Sequence, residues 1–185
     1  MKQSSLMQMA GCVFILWLAG VAVCQAQPSR IVLIRHAEKP TNDEEPHLSD
    51  AGRQRAIRLI DWVANDPLWG TNPPVALFAA QPKKWNSSIR SLETLEPLAK
   101  HLRLEIQMPC VATDYHEFAN LILKDRSLAN KTVLVCWVND YLPALAGALG
   151  VKPEPPDWKS KDFNSVYVIT YTKGMASFRR TKQFN

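Results

Sequence analysis

The segment Arg35-His36-Ala37-Glu38-Lys39-Pro40 follows the apolar run Ile31-Val32-Leu33-Ile34 and sets an imidazole beside a guanidinium at the end of a strand. A neutral imidazole is a competent nucleophile near neutral pH. The planar fork of an arginine can hold two phosphate oxygens at once. The pair reads as a site that accepts a phosphoryl group, and the order of features that follows it strengthens that reading.

Positioning such a pair falls to strands that alternate with helices. Residues 30–34 read as a first buried strand, and residues 49–64 as a helix with Ala56, Ile60 and Val63 on one stripe. Residues 75–79 give a second strand. Residues 86–102 give a second helix through Ile89, Leu92, Leu95 and Leu98, which Pro97 should bend. A third strand is expected over 104–107, a fourth over 132–136 and a last over 166–171. Asp114 and Glu117 look like a capping pair ahead of Phe118, Leu121 and Ile122, and residues 143–149 form a helix stopped by Gly150. The 153–156 segment, Pro-Glu-Pro-Pro, is a loop. The result is one α/β layer structure, with no internal repeat or low-complexity stretch. In open α/β sheets a ligand sits beyond the carboxyl ends of the strands. At those positions stand Arg35 and His36 after the first strand, Ser88 and Arg90 in the region after the second, and Asn139 and Asp140 after the fourth.

These pieces resemble the histidine phosphatase superfamily, whose fold is phosphoglycerate-mutase-like. The matching segments are residues 31–39; Leu48-Ser49-Asp50-Ala51-Gly52-Arg53-Gln54-Arg55-Ala56; Ser88-Ile89-Arg90-Ser91-Leu92-Glu93-Thr94; and the strand-then-helix block 133–150. The resemblance implies a single-domain three-layer sandwich over residues 27–185, a mostly parallel sheet flanked by helices. It implies that His36 attacks phosphorus to become a phosphohistidine, and that Arg35 and Arg90 cradle the transferring group. It also implies that neither metal nor cofactor is needed, since the guanidinium groups neutralise the oxygen charge. Metal-ligand spacings such as His-Glu-x-x-His or paired Cys-x-x-Cys do not occur.

One position departs from that pattern. The family carries a second histidine after its fourth strand, and this chain reads Trp137-Val138-Asn139-Asp140-Tyr141, which puts Asn139 there. An amide donates a hydrogen bond but carries no charge. Losing a charge-assisted donor costs about 1.5–3 kcal/mol, or roughly ten- to a hundredfold in rate. Slow turnover and a pseudoenzyme that only binds phosphorylated ligands or a partner are both compatible with that. For the leaving-group proton, Asp140 is the first candidate, acting from a buried position near the phosphate, and Glu117 is the second. Their ordinary alternatives are a helix-start cap for Asp140 and partnership with Asp114 for Glu117. His47 and His101 flank helices and suit surface roles, whereas His116 could swing in for the missing imidazole. Trp137, Trp62 and Trp69 suit core packing better than a sugar-stacking platform. Lys39 is a candidate substrate contact.

Composition fits a globular chain, with 46% hydrophobic and 21% charged residues among 185. Residues 1–26 differ: Lys2 is the only charge before Arg30, and residues 12–23 are apolar but short for a membrane span. Cys24-Gln25-Ala26 supplies small residues for a signal peptidase. We expect residues 1–26 to be a signal peptide and the protein to be periplasmic or secreted, meeting the membrane only if that segment stays uncleaved. Without it the net charge falls from +5 to +4, as 21 basic against 17 acidic residues. That dispersed surplus gives no case for nucleic acid. The basic run 173–182 reads as a solvated terminal strand and tail, and Cys110 and Cys136 as two separate thiols. The expected partner is a small phosphorylated substrate or a cell-envelope sugar phosphate. Mass spectrometry of the envelope fraction should find an amino terminus close to Gln27; intact Met1 in soluble cytosol would refute export.

Overall fold

The computed structural model describes residues 27–42, 45–84 and 87–184. The expected signal segment, and Asn86 at the expected start of the second helix, lie outside the described residues. Six strands form one sheet: β1 (Arg30–Arg35), β2 (Ala76–Ala79), β3 (Ile106–Gln107), β4 (Thr132–Trp137), β5 (Ser165–Thr172) and β6 (Met175–Lys182). Their spatial order is β3-β2-β4-β1-β5-β6. The first four run parallel, and β5 and β6 are antiparallel additions.

Alternation along each strand divides the core into two layers. Val32 and Ile34 of β1, with Leu134 and Cys136 of β4, face Leu59 and Trp62 of α1 (Asp50–Asn65) and Leu95 and Leu98 of α2 (Arg90–Leu102). Ile31 and Leu33, with Val133, Val135 and Trp137, face Phe118 and Ile122 of α3 (Tyr115–Lys124) and Leu142 and Leu145 of α4 (Leu142–Ala148). A strand buried on both faces must be apolar throughout, which is why β1 and β4 read as unbroken hydrophobic runs. Trp62, Trp69 and Trp137 are all buried core residues. Cys110 and Cys136 are both free.

One expectation is corrected. Asp114 precedes α3 but its side chain makes no cap; it accepts a hydrogen bond from Thr113 Oγ1 (3.0 Å) instead, and Glu117 lies exposed. The 173–182 run holds the expected solvated terminal strand: residues 175–182 pair with the whole of β5 at the sheet edge, and the chain turns at Lys173 and Gly174, both with positive φ. The helix expected over 143–149 spans Leu142–Ala148 and is preceded by a 3₁₀ turn at Asn139–Tyr141. Pro97 lies inside α2 without ending it.

The site end of the sheet is fixed by a close approach of α1 to the chain after β1. Ser49 caps α1, accepting from Gly52 N (3.1 Å), while its own N–H and Oγ–H both donate to Glu38 O (3.0 and 3.1 Å). A Cβ on Gly52 would lie 2.3 Å from that same oxygen, a backbone atom that cannot yield. Gly147 is the contrast, since its Cβ would meet only the flexible end of Glu154 at 3.0 Å. Gly52→Ala should therefore cost about 1–3 kcal/mol by overpacking, while Gly147→Ala should gain about 0.5–1 kcal/mol of helix preference. Thermal denaturation checks both, and equal melting temperatures would show that α1 is not seated on Glu38.

Candidate functional site

Parallel pairing of β1 with β4 sets Arg35 opposite Trp137, and His36 N donates to Trp137 O (3.1 Å). The loops carrying His36 and Asn139 therefore leave the sheet side by side. The first turn of α2 closes on the same rim: Ala37 N donates to Thr94 Oγ1 (2.9 Å), whose hydroxyl donates to Arg90 O (2.7 Å). Arg35, His36 and Arg90 are 3%, 5% and 8% exposed, an unusual depth for two guanidinium groups.

His36 Nδ1 lies 2.7 Å from Ala37 O. A carbonyl only accepts, so Nδ1 carries the hydrogen and the lone pair belongs to Nε2. Burial, reinforced by the charges of Arg35, Arg90 and Lys39 against the Ala37 hydrogen bond, pushes the His36 pKa down to about 4. The imidazole is thus held neutral. Arg35 donates through Nη1 to Ser160 O (2.5 Å), and its guanidinium carbon lies 4.0 Å above the centre of the Phe163 ring. Its Nε is buried with no hydrogen-bond partner among the described residues. Burial lowers the Arg35 pKa from its ordinary value, opposed by Asp140 and Asp162.

Arg90 opens α2 and is held by the loop before α1. Its Nε donates to His47 O (3.2 Å) and its Nη2 to Glu45 O (2.5 Å). Glu38 points away from the rim into an ion pair with Arg55, whose Nε reaches both carboxylate oxygens at 2.9 and 3.0 Å. Asn139 is buried, and its amide donates to Asp140 Oδ1. Asp140 is exposed rather than buried, and it caps nothing, but its charge bears on Arg35.

All five expected site residues, Arg35, His36, Arg90, Asn139 and Asp140, stand at one end of the sheet. Glu117 sits on the exposed side of α3, where its charge bears on the Cys110 thiol. His47 is exposed and paired with Glu93, His101 is exposed in the last turn of α2, and the exposed His116 has its ring tilted against that of Tyr115. Sequence reasoning missed Phe163 and Ser160. They reach Arg35 from a loop more than 120 residues away, and no periodicity or motif marks them. Thr94 stood inside a recognised motif, but only the structure shows it joining α2 to Ala37.

No protein-family profile matches the sequence, and no curated protein matches it. Solved structures do. A candidate α-ribazole-5′-P phosphatase from Escherichia coli matches with TM-score 0.59 at 13% identity, over 84% of this chain and 97% of its own. A mycobacterial glucosyl-3-phosphoglycerate phosphatase in complex with inorganic phosphate matches with TM-score 0.55 at 13% identity, over 85% and 100%. SixA of Agrobacterium tumefaciens, a candidate phosphohistidine phosphatase, matches with TM-score 0.51 at 15% identity, over 84% and 97%. The fold is the phosphoglycerate-mutase-like three-layer α/β sandwich that histidine phosphatases share.

The lowered pKa of His36 has a signed consequence. Above its ordinary value of 6.5 the imidazole is neutral folded or unfolded; as pH falls from 6.5 to about 4 the unfolded chain takes up a proton that the fold refuses. That loss reaches about 3 kcal/mol by pH 4. An NMR titration of the His36 ring should have its midpoint near 4, and His36→Gln should retain more of its neutral-pH stability at pH 4.5. A midpoint near 6.5 would contradict the burial.

Proposed function

We propose that this domain is a phosphomonoester phosphatase that works through a phosphohistidine on His36, with turnover slowed because Asn139 stands where a second histidine is expected. The observation that carries this is a neutral imidazole, its Nδ1 committed to Ala37 O, beside a buried Arg35 whose Nε–H has no partner among the described residues. Nε2 attacks phosphorus, and the bond to the leaving oxygen breaks. The proton that a monoanionic phosphomonoester brings passes through the Asp140 carboxylate to that oxygen. Water then attacks the phosphohistidine, Asp140 takes its proton, and phosphate leaves as His36 returns to the neutral state. Arg35 and Arg90 supply preorganised positive charge to the phosphoryl oxygens throughout. Likeness to phosphatases in three dimensions supports the reading. The substrate is a small phosphoester or a cell-envelope sugar phosphate, met outside the cytosol if residues 1–26 direct export.

The hydrogen bond from the Asn139 amide to Asp140 favours a second reading. It draws one N–H of the amide and one oxygen of the proposed acid toward each other rather than toward a substrate, so a pseudoenzyme that binds phosphorylated ligands without turnover fits the same geometry.

Steady-state hydrolysis of p-nitrophenyl phosphate separates the two. Wild type should turn over, His36→Ala should lose about a thousandfold or more, and Asn139→His should gain about ten- to a hundredfold. Phosphate binding without turnover in wild type would establish the pseudoenzyme. Absence of phosphate binding would remove the cradle itself. A folded Asn139→His variant with no gain would show that the missing imidazole does not limit the site.

A further inference from the structure

We propose that Glu93 is a positioning residue for the phosphoryl cradle: it clasps residues 45–48, and the carbonyls of that loop fix the guanidinium of Arg90. The inference rests on the reading of Arg90 as a phosphoryl ligand. Glu93 spends both carboxylate oxygens on the loop, Oε2 accepting from Leu48 N (2.7 Å) and Oε1 from His47 Nδ1 (2.6 Å). One turn earlier on the same face of α2, Ile89 N donates to Pro46 O (3.1 Å). Arg90 donates to the carbonyls of His47 and Glu45. The loop is thus stitched to the first turn of α2 by bonds that alternate between backbone and side chain. From the α1 side Arg53 Nη1 donates to Leu48 O (2.7 Å).

The direction of cause follows from stiffness. A guanidinium on a long side chain has many rotamers, and holding it in one costs entropy that a ligand must otherwise supply. Two carbonyls on a four-residue loop do not hold it unless the loop itself is held. Glu93 supplies that hold on a rigid element, three residues from the group it serves. Glu93 has no need to touch the phosphoryl group, so its effect passes entirely through Arg90.

That dependence makes the proposal testable as a double-mutant cycle on the full chain, with inorganic phosphate as the calorimetric probe. Glu93→Ala should raise the phosphate dissociation constant about fivefold or more. In an Arg90→Ala background the same change should alter it less than about twofold. Glu93→Gln, which keeps an acceptor for Leu48 N but loses the ionic hold on His47, should weaken binding by an intermediate amount; it serves as the test if the alanine variant does not fold. Equal losses with and without Arg90 would overturn the proposal, because the effect would then be general loosening. No loss in Glu93→Ala or Glu93→Gln would overturn it as well. If Arg90→Ala itself leaves phosphate affinity unchanged, the reading of the cradle fails, and the positioning role falls with it.

Discussion

Everything at this end of the molecule answers one constraint: two guanidinium groups and an imidazole are taken out of water at one rim of the sheet. Burying a charge without satisfying its donors costs several kcal/mol. Carboxylates would satisfy them but would also cancel the field an anion needs. The structure leans on backbone carbonyls and an aromatic face instead. Ser160 O and Phe163 serve Arg35, and Glu45 O and His47 O serve Arg90. The acidic groups nearby are turned to other work. Glu38 is held by Arg55, and Asp162 accepts from Ser165, Asn164 and Arg180. Burial would raise the Asp162 carboxyl, but those hydrogen bonds outweigh it and hold it below its ordinary value.

This explains why distant loops are recruited. Carbonyls that face a guanidinium must come from chain with irregular backbone, since those inside strands and helices are already paired. The 45–48 and 160–163 segments meet that need from opposite sides. The sheet supplies what loops cannot, a fixed register: Arg35 opposite Trp137 determines that His36 and Asn139 emerge together. Seating of Gly52 on Glu38 O then ties α1 to the chain that leaves β1.

The buried strands were legible because their solubility in a double-sided core demands runs such as Val133-Leu134-Val135-Cys136, whatever surrounds them. The placement of the Arg-His pair, Arg90 and Asn139 at one rim was legible because strand ends can be located and a ligand in an open α/β sheet sits beyond them. β6 was harder to read. An edge strand exposed on most of its length, carrying Arg179 and Arg180, has no apolar alternation to announce it; its pairing with β5 decides its conformation. Asp114 and Glu117 matched a capping pattern, yet the 3₁₀ turn at Ala112–Asp114 leaves Asp114 without a side-chain cap bond to α3. Phe163 and Ser160 were beyond reach in principle, because their role exists only once α4, the 150–164 loop and β5 have closed around Arg35.

On the proposed reading, an asparagine rather than a histidine at position 139 bears differently on binding and on turnover. Three cations, Arg35, Arg90 and Lys39, already act on His36. Against the two negative charges of the proposed phosphomonoester that is a surplus even without a histidine at 139, which favours attraction in the ground state. The transition state asks for something else: donors aimed at oxygens as the bond to the leaving group stretches. Asn139 directs its amide to Asp140, so the donor that would tighten in the transition state is turned toward the group that must release the proton. On the proposed reading, each partner of that bond keeps a second donor or acceptor, so the arrangement disturbs alignment in the transition state more than it disturbs binding, and affinity for phosphate alone does not report whether the site turns over.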